Sequence, residues 1–107
     1  MGDSLSYFIT ESGAKYMTLP ENKTRLSFLR RKFRLSQGKM ADIMNISIHT
    51  YRQIESYKKA LTFEQLIFLS KFYNVDVNFI LAEAEILNED KKKLDEYMLK
   101  SYITGPK

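Results

Sequence analysis

The chain has 107 residues, enough for one small domain with modest extensions and a real but limited core. It has no Cys, which excludes disulfides, thiolate zinc sites and cysteine nucleophiles, and its one His, His49, cannot alone form a metal site of ordinary stoichiometry. The formal net charge of +4 hides a strong asymmetry: residues 23–59 carry ten Lys or Arg against Asp42 and Glu55, while the rest carries seven basic and eleven acidic residues.

A positive field concentrated in one segment steers a polyanion to one face, although a run such as Arg30-Arg31-Lys32 is, taken alone, equally the mark of a solvated helix surface. No carboxylate pair brackets a pocket, no Ser-His-acid arrangement is readable and no glycine-rich phosphate loop occurs, which argues against an enzyme and against a bound cofactor. With no signal-peptide pattern and no apolar run of membrane-spanning length, the expected compartment is the cytoplasm.

Residues 1–20 open with two short aromatic and β-branched runs, Ser6-Tyr7-Phe8-Ile9-Thr10 and Lys15-Tyr16-Met17-Thr18-Leu19, around Glu11-Ser12-Gly13-Ala14. This spacing predicts a β-hairpin, with an N-terminal arm as the competing reading. An isolated hairpin is marginal in water, so it should lie on the helical body or pair with a second copy. Pro20-Glu21-Asn22 marks a boundary, and a first helix is expected from Lys23 to Phe33. Its inward face would hold Leu26, Leu29 and Phe33, and its exposed side Arg25, Arg30, Arg31, Lys32 and Arg34.

From Leu35 to Lys59 the pattern is that of two short helices meeting at a tight turn. Met40, Ala41, Ile43 and Met44 give the first an apolar face; Tyr51 and Ile54 do so for the second. Between them, Asn45 tolerates the left-handed conformation that ends a helix, Ile46 plugs the corner and Ser47 is placed to cap the next helix. With Tyr51 and Ile54 inward, Ile48, His49, Arg52 and Gln53 point outward, with Thr50 at the margin. Arg, His and Gln can hydrogen-bond base edges in a major groove, and Ile can lie against a thymine methyl.

Ser56-Tyr57-Lys58-Lys59 forms the following loop. Thr62 and Gln65 make a capping box for a fourth helix bearing Leu66, Ile67, Leu69, Phe72 and Tyr73. Asn74-Val75 ends it, Asp76 caps a fifth, and Val77, Ile80 and Leu81 close the core. The tail is acidic at Glu83, Glu85, Glu89 and Asp90, then basic at Lys91-Lys92-Lys93, as the macrodipole and i, i+4 pairing of a helix favour. Its apolar stripe of Leu94, Tyr97 and Met98, with Ile86 and Leu87, is read either as packing on the domain or as a subunit interface; the interface is put ahead.

Leu35-Ser36-Gln37, Ala41, Ser47 and Glu55 resemble, in order and spacing, the Cro and phage-repressor (XRE-type) class of helix-turn-helix domains. The resemblance covers about Leu26 to Leu81 and implies an all-α, five-helix DNA-binding domain over residues 21–82. Residues 1–20 then form an N-terminal extension, and residues 83–107 a C-terminal dimerisation helix. Ile48, His49, Arg52 and Gln53 would contact bases; Gln37, Ser47, Thr50, Tyr57, Lys58 and Lys59 would hold phosphates. In the family the residue at Gln37 supports the recognition helix and touches a phosphate, assisted by the positive end of its own helix.

Two positions depart from the pattern. Gly38 lies inside a helix, and Tyr57 replaces the usual Gly, so that loop must turn differently or place Tyr57 in a costly conformation. The implied function is a double-stranded-DNA-binding transcriptional regulator. A homodimeric repressor on a two-fold operator is put first, because this class reads paired half-sites. An antitoxin that autoregulates its operon and masks a toxin, and a protein-binding adaptor on the same fold, are the alternatives.

Overall fold

In the computed structural model, residues 24–104 are described, with side chains through Ser101; the hairpin expected over residues 1–20 lies outside the described residues. The elements in chain order are α1 (Arg25–Lys32), α2 (Gln37–Met44), α3 (Ile48–Glu55), α4 (Phe63–Tyr73), α5 (Val77–Leu81), a 3₁₀ turn over Asn88–Asp90 and α6 (Lys91–Thr104). This is the all-α arrangement that the spacing predicts.

Each of the first five helices starts on a side-chain cap whose oxygen accepts a backbone N–H that has no partner within the helix. Thr24 accepts from Ser27, Ser36 from Lys39, Ser47 from Thr50, Thr62 from Gln65 and Asp76 from Asn78. At α4 both arms of the capping box form, each at 3.0 Å.

The ends of α1 to α4 are alike in a way that composition does not suggest. Each is followed by a residue in the left-handed region, and none of the four is Gly: Arg34 (φ 61°), Asn45 (φ 59°), Tyr57 (φ 64°) and Asn74 (φ 57°). At each, the left-handed residue and its successor return their N–H groups to the last turn. Examples are Asn45 to the Asp42 carbonyl and Ile46 to the Ala41 carbonyl, both at 3.0 Å. This is the Schellman closure. In three of the four the successor is apolar and sits against the core: Leu35, Ile46 and Val75. After Tyr57 it is Lys58, which is exposed.

Leu26, Met40, Tyr51, Ile54, Leu61, Leu66, Leu69 and Ile80 are fully buried and form the centre of the core. Phe33, expected inward from α1, instead follows the helix as its cap residue and stays 44% exposed. Its ring lies against Tyr73 (5.1 Å between centroids) and Phe72 (6.0 Å). The reason is that α1 closes at Lys32, one residue before the position where a continuing helix would turn Phe33 inward.

The chain does not leave the core after α5. Ala84 and Ile86 are buried. Ile86 pairs in a short parallel bridge with Leu61, through Leu61 N–H to the Glu85 carbonyl (2.9 Å) and Leu87 N–H to the Leu61 carbonyl (2.8 Å). Ile86 is therefore a core residue, which corrects its expected place in a subunit interface: its side chain fills the domain's own interior. Leu94 and Met98 lie half-buried on the core, and the Tyr97 ring meets Phe63 edge-on at 5.7 Å. Asp90 fastens the start of α6 to the start of α4 by accepting the Phe63 N–H at 2.7 Å.

Candidate nucleic-acid interface

The helix-turn-helix is built from local rules at its corner. Asn45 takes the left-handed conformation at about the lowest cost open to a side-chain-bearing residue. The Ser47 oxygen accepts the Thr50 N–H at 3.0 Å and its hydroxyl donates to Thr50 Oγ1 at 3.0 Å. The α3 helix then divides cleanly: Tyr51, Ile54 and Glu55 are buried, Ile48, His49 and Arg52 are exposed, and Thr50 and Gln53 are half-buried. The four residues expected on the outer face therefore share it, with Gln53 at its edge.

Behind that face runs a chain of polar contacts. Arg30 is buried and donates through Nε to Glu55 Oε1 (2.7 Å), through Nη2 to Glu55 Oε2 (3.1 Å) and through Nη1 to the Leu35 carbonyl (2.8 Å). Gln37 Nε2 donates to Glu55 Oε2 at 3.1 Å, and Gln37 Oε1 accepts from Arg52 Nε at 3.1 Å. A buried ion pair thus fixes Gln37, and Gln37 fixes the direction of an exposed Arg on α3. Burial by itself would raise the Glu55 carboxyl, but the Arg30 hydrogen bond, together with the Tyr51 hydroxyl, the Arg30 charge and the Gln37 amide, outweighs it and holds Glu55 below its ordinary value. The same pairing raises Arg30. Arg30, expected among the exposed cations of α1, is removed from that surface by Glu55.

A helix-turn-helix family model matches residues 26–80, just over half of the chain. The chain belongs to the Cro/C1-type helix-turn-helix (XRE) family. No curated protein and no solved structure matches. As a member of this family the protein is a DNA-binding transcription regulator, and the family is regulatory and generally non-enzymatic. Among the described residues no helix is long and apolar enough to cross a membrane, and no group of His, Asp or Glu side chains is arranged to hold a metal.

Within this XRE-type domain the far end of α3 is held differently from its start. Thr24 Oγ1 donates to the Glu55 carbonyl at 2.8 Å, so the cap of α1 also satisfies the last turn of the recognition helix. The Tyr57 hydroxyl donates to Glu83 Oε1 at 2.6 Å. Burial, reinforced by that bond, pushes the Tyr57 hydroxyl well above its ordinary value. Tyr57 was expected to offer its hydroxyl to a phosphate; the hydroxyl is engaged by Glu83 instead, because the left-handed backbone turns the ring toward the core. Lys58 and Lys59, next along the loop, are exposed.

The positive surface is smaller than the charge count suggests and better defined. Arg25 is held by the Phe79 carbonyl (2.8 Å), by Glu83 and by the Phe79 ring, 4.4 Å from its centroid. With Arg30 buried as well, the exposed cations between Thr24 and Lys59 are Arg31, Lys32, Arg34, Lys39, Arg52, Lys58 and Lys59. Gly38, the other departure, meets nothing closer than Ile48 Cδ1 at 3.7 Å from where a Cβ would stand, so the protein itself leaves room for a side chain there.

The residues that sequence reasoning missed are the ones behind the face. Arg30 lies one turn after Leu26, on the inward side of α1, which is a readable sign of a buried partner. Glu83 gives no such sign: its role depends on where the chain passes after α5.

Proposed function

We propose that this protein is a sequence-specific, dimeric repressor that binds double-stranded DNA by placing α3 in the major groove. The single observation that carries this reading is the preset direction of Arg52. An exposed, always-charged side chain on the outer face of α3 is aimed by Gln37 and, through it, by the buried Glu55 and Arg30. A solvated surface Arg needs no such support. Arg52 and Gln53 suit guanine and adenine edges respectively, Ile48 suits a thymine methyl and His49 a base-edge acceptor. Gln37, Ser47, Thr50, Lys58 and Lys59 lie around that face and hold phosphates, which set register without reading sequence.

Dimerisation follows from economy of contacts: one helix of this length reads only a few bases, and paired half-sites about one helical turn apart multiply the discrimination. Ile86 is inside the core, so on this reading the pairing surface draws on the remaining tail residues, among which Leu87 is half-buried and Tyr97 is 37% exposed, or on the N-terminal segment. Sedimentation of the purified chain with and without a selected duplex tests this. Two chains per duplex with two-fold symmetric protection is the expected result; one chain per duplex is the contrary one. The adaptor reading is favoured by one specific observation, the row of Phe33, Phe72 and Phe68 rings that reaches the surface. It predicts binding to duplex DNA no stronger than the charge alone dictates.

A further inference from the structure

We infer that Tyr57 is a positioning residue for DNA binding: by fastening the loop after α3 to Glu83 it sets the place of Lys58 and Lys59 against the phosphate backbone. This rests on the DNA-binding reading above and deepens it. The four left-handed closures differ in what anchors them. Arg34, Asn45 and Asn74 are each followed by an apolar residue seated against the core, so at those turns the successor anchors the backbone. At Tyr57 the successor is a solvated Lys, and that anchor is missing. The left-handed residue itself takes over: the Tyr57 ring packs against the core and its hydroxyl donates to Glu83 at 2.6 Å.

Glu83 is a firm post for this purpose. Its Oε1 also accepts the Arg25 backbone N–H at 2.8 Å, and its Oε2 lies 3.8 Å from the Arg25 guanidinium. Arg25 is in turn fixed to the Phe79 carbonyl and ring. The loop after the recognition helix is therefore tied at one carboxylate to the start of α1 and to the segment after α5. A bulky residue does not hold a left-handed backbone on its own. If the hydroxyl is removed, the backbone at Tyr57 relaxes toward the right-handed or extended regions, the Lys58 N–H leaves the Gln53 carbonyl (2.9 Å) and both lysines swing away from their present line.

The base-reading side chains of α3 precede this point and stay where they are. Tyr57 thus controls the sequence-independent part of binding. The consequence is a specific pattern of loss. The test uses the full-length chain and a short duplex enriched from a random pool by the wild-type protein. Affinity is measured over a range of salt concentrations by fluorescence anisotropy, with folding followed by circular dichroism.

Tyr57→Phe is expected to weaken binding about five- to tenfold and to lower the salt slope by roughly one to two phosphates' share, with base preference unchanged. Glu83→Gln, a weaker acceptor, gives a smaller loss of the same kind. In a Lys58→Ala, Lys59→Ala background, Tyr57→Phe should cost almost nothing further, since the residues it positions are gone. A purely structural tyrosine would shift the unfolding temperature and leave the salt slope alone. A wild-type slope in Tyr57→Phe, or an undiminished loss in the lysine-free background, overturns the assignment. Failure of the wild-type chain to enrich any duplex overturns the DNA reading itself, and is seen before any variant is made.

Discussion

The two ends of the recognition helix are held by opposite means. At its start, every bond joins residues within a few positions of one another: Asn45 and Ile46 return to α2, and Ser47 caps through Thr50. At its end, Glu55 and Tyr57 are gripped from a distance, Glu55 by Arg30 on α1 and by the Thr24 hydroxyl, and Tyr57 by Glu83 beyond α5. Local rules make the corner, and the tertiary fold makes the platform. The first can be disturbed without moving the second, which the following measurements exploit.

The largest effect is expected at the buried pair. Glu55→Ala leaves Arg30 buried without its carboxylate, and removing one partner of such a pair typically costs about 3–5 kcal/mol; urea unfolding measures it. The pH dependence has a definite sign. The folded Glu55 carboxyl lies below its ordinary value of 4.5, so its stabilisation is complete above that value and is lost as pH falls through the lower folded value. The gap between the wild type and Glu55→Ala should therefore narrow in acid below pH 4.5 and stay constant between pH 6 and pH 8. A gap independent of pH throughout would break the assignment.

Next in size is Tyr57→Phe. A hydrogen bond to a charged group contributes about 1.5–3 kcal/mol, but Glu83 is partly open to solvent, which brings the expected loss to about 1–2 kcal/mol after screening. At the opposite end of α3, Ser47→Ala removes a cap and should cost about 1 kcal/mol. Its effect should add to that of Tyr57→Phe, because the two ends share no partner. Clear non-additivity in unfolding free energies would mean that the two ends form one unit.

The smallest effects lie at the remaining closures. Arg34→Gly relieves a left-handed backbone and should stabilise by roughly 1 kcal/mol, whereas Asn45→Gly should change stability by only a few tenths of a kcal/mol. Equal gains at both positions would contradict the distinction drawn between Arg and Asn.

What could be read from the sequence follows the same division. The caps at Ser47, Thr62 and Asp76, the left-handed Asn45 and the outer face of α3 all depend on side chains acting on neighbouring backbone, and spacing reveals them. Tyr57 was legible only as a conflict: a non-glycine at a turn that favours glycine, with two possible resolutions. The structure takes the strained one and supplies Glu83 as its counterweight, a residue 26 positions away that no local pattern connects to it. Phe33 shows the converse error. Its spacing continued the apolar stripe of α1, but periodicity does not say where a helix stops, and closure at Lys32 turned the ring to the surface. The tail was legible as an amphipathic helix, while the bridge that draws Ile86 into the core depends on the meeting of two distant segments.

In the proposed function, α3 reads sequence through an Arg52 whose direction is set from behind. The most direct measurement is parallel selection of duplexes from a random pool by the wild-type protein and by Arg52→Ala. A two-fold symmetric site is expected for the wild type. For the variant, relaxed preference is expected at one position in each half-site, with a loss of about 1–3 kcal/mol on the wild-type site and all other positions unchanged. Identical enriched sequences from both proteins, or a uniform loss at every position, would contradict it.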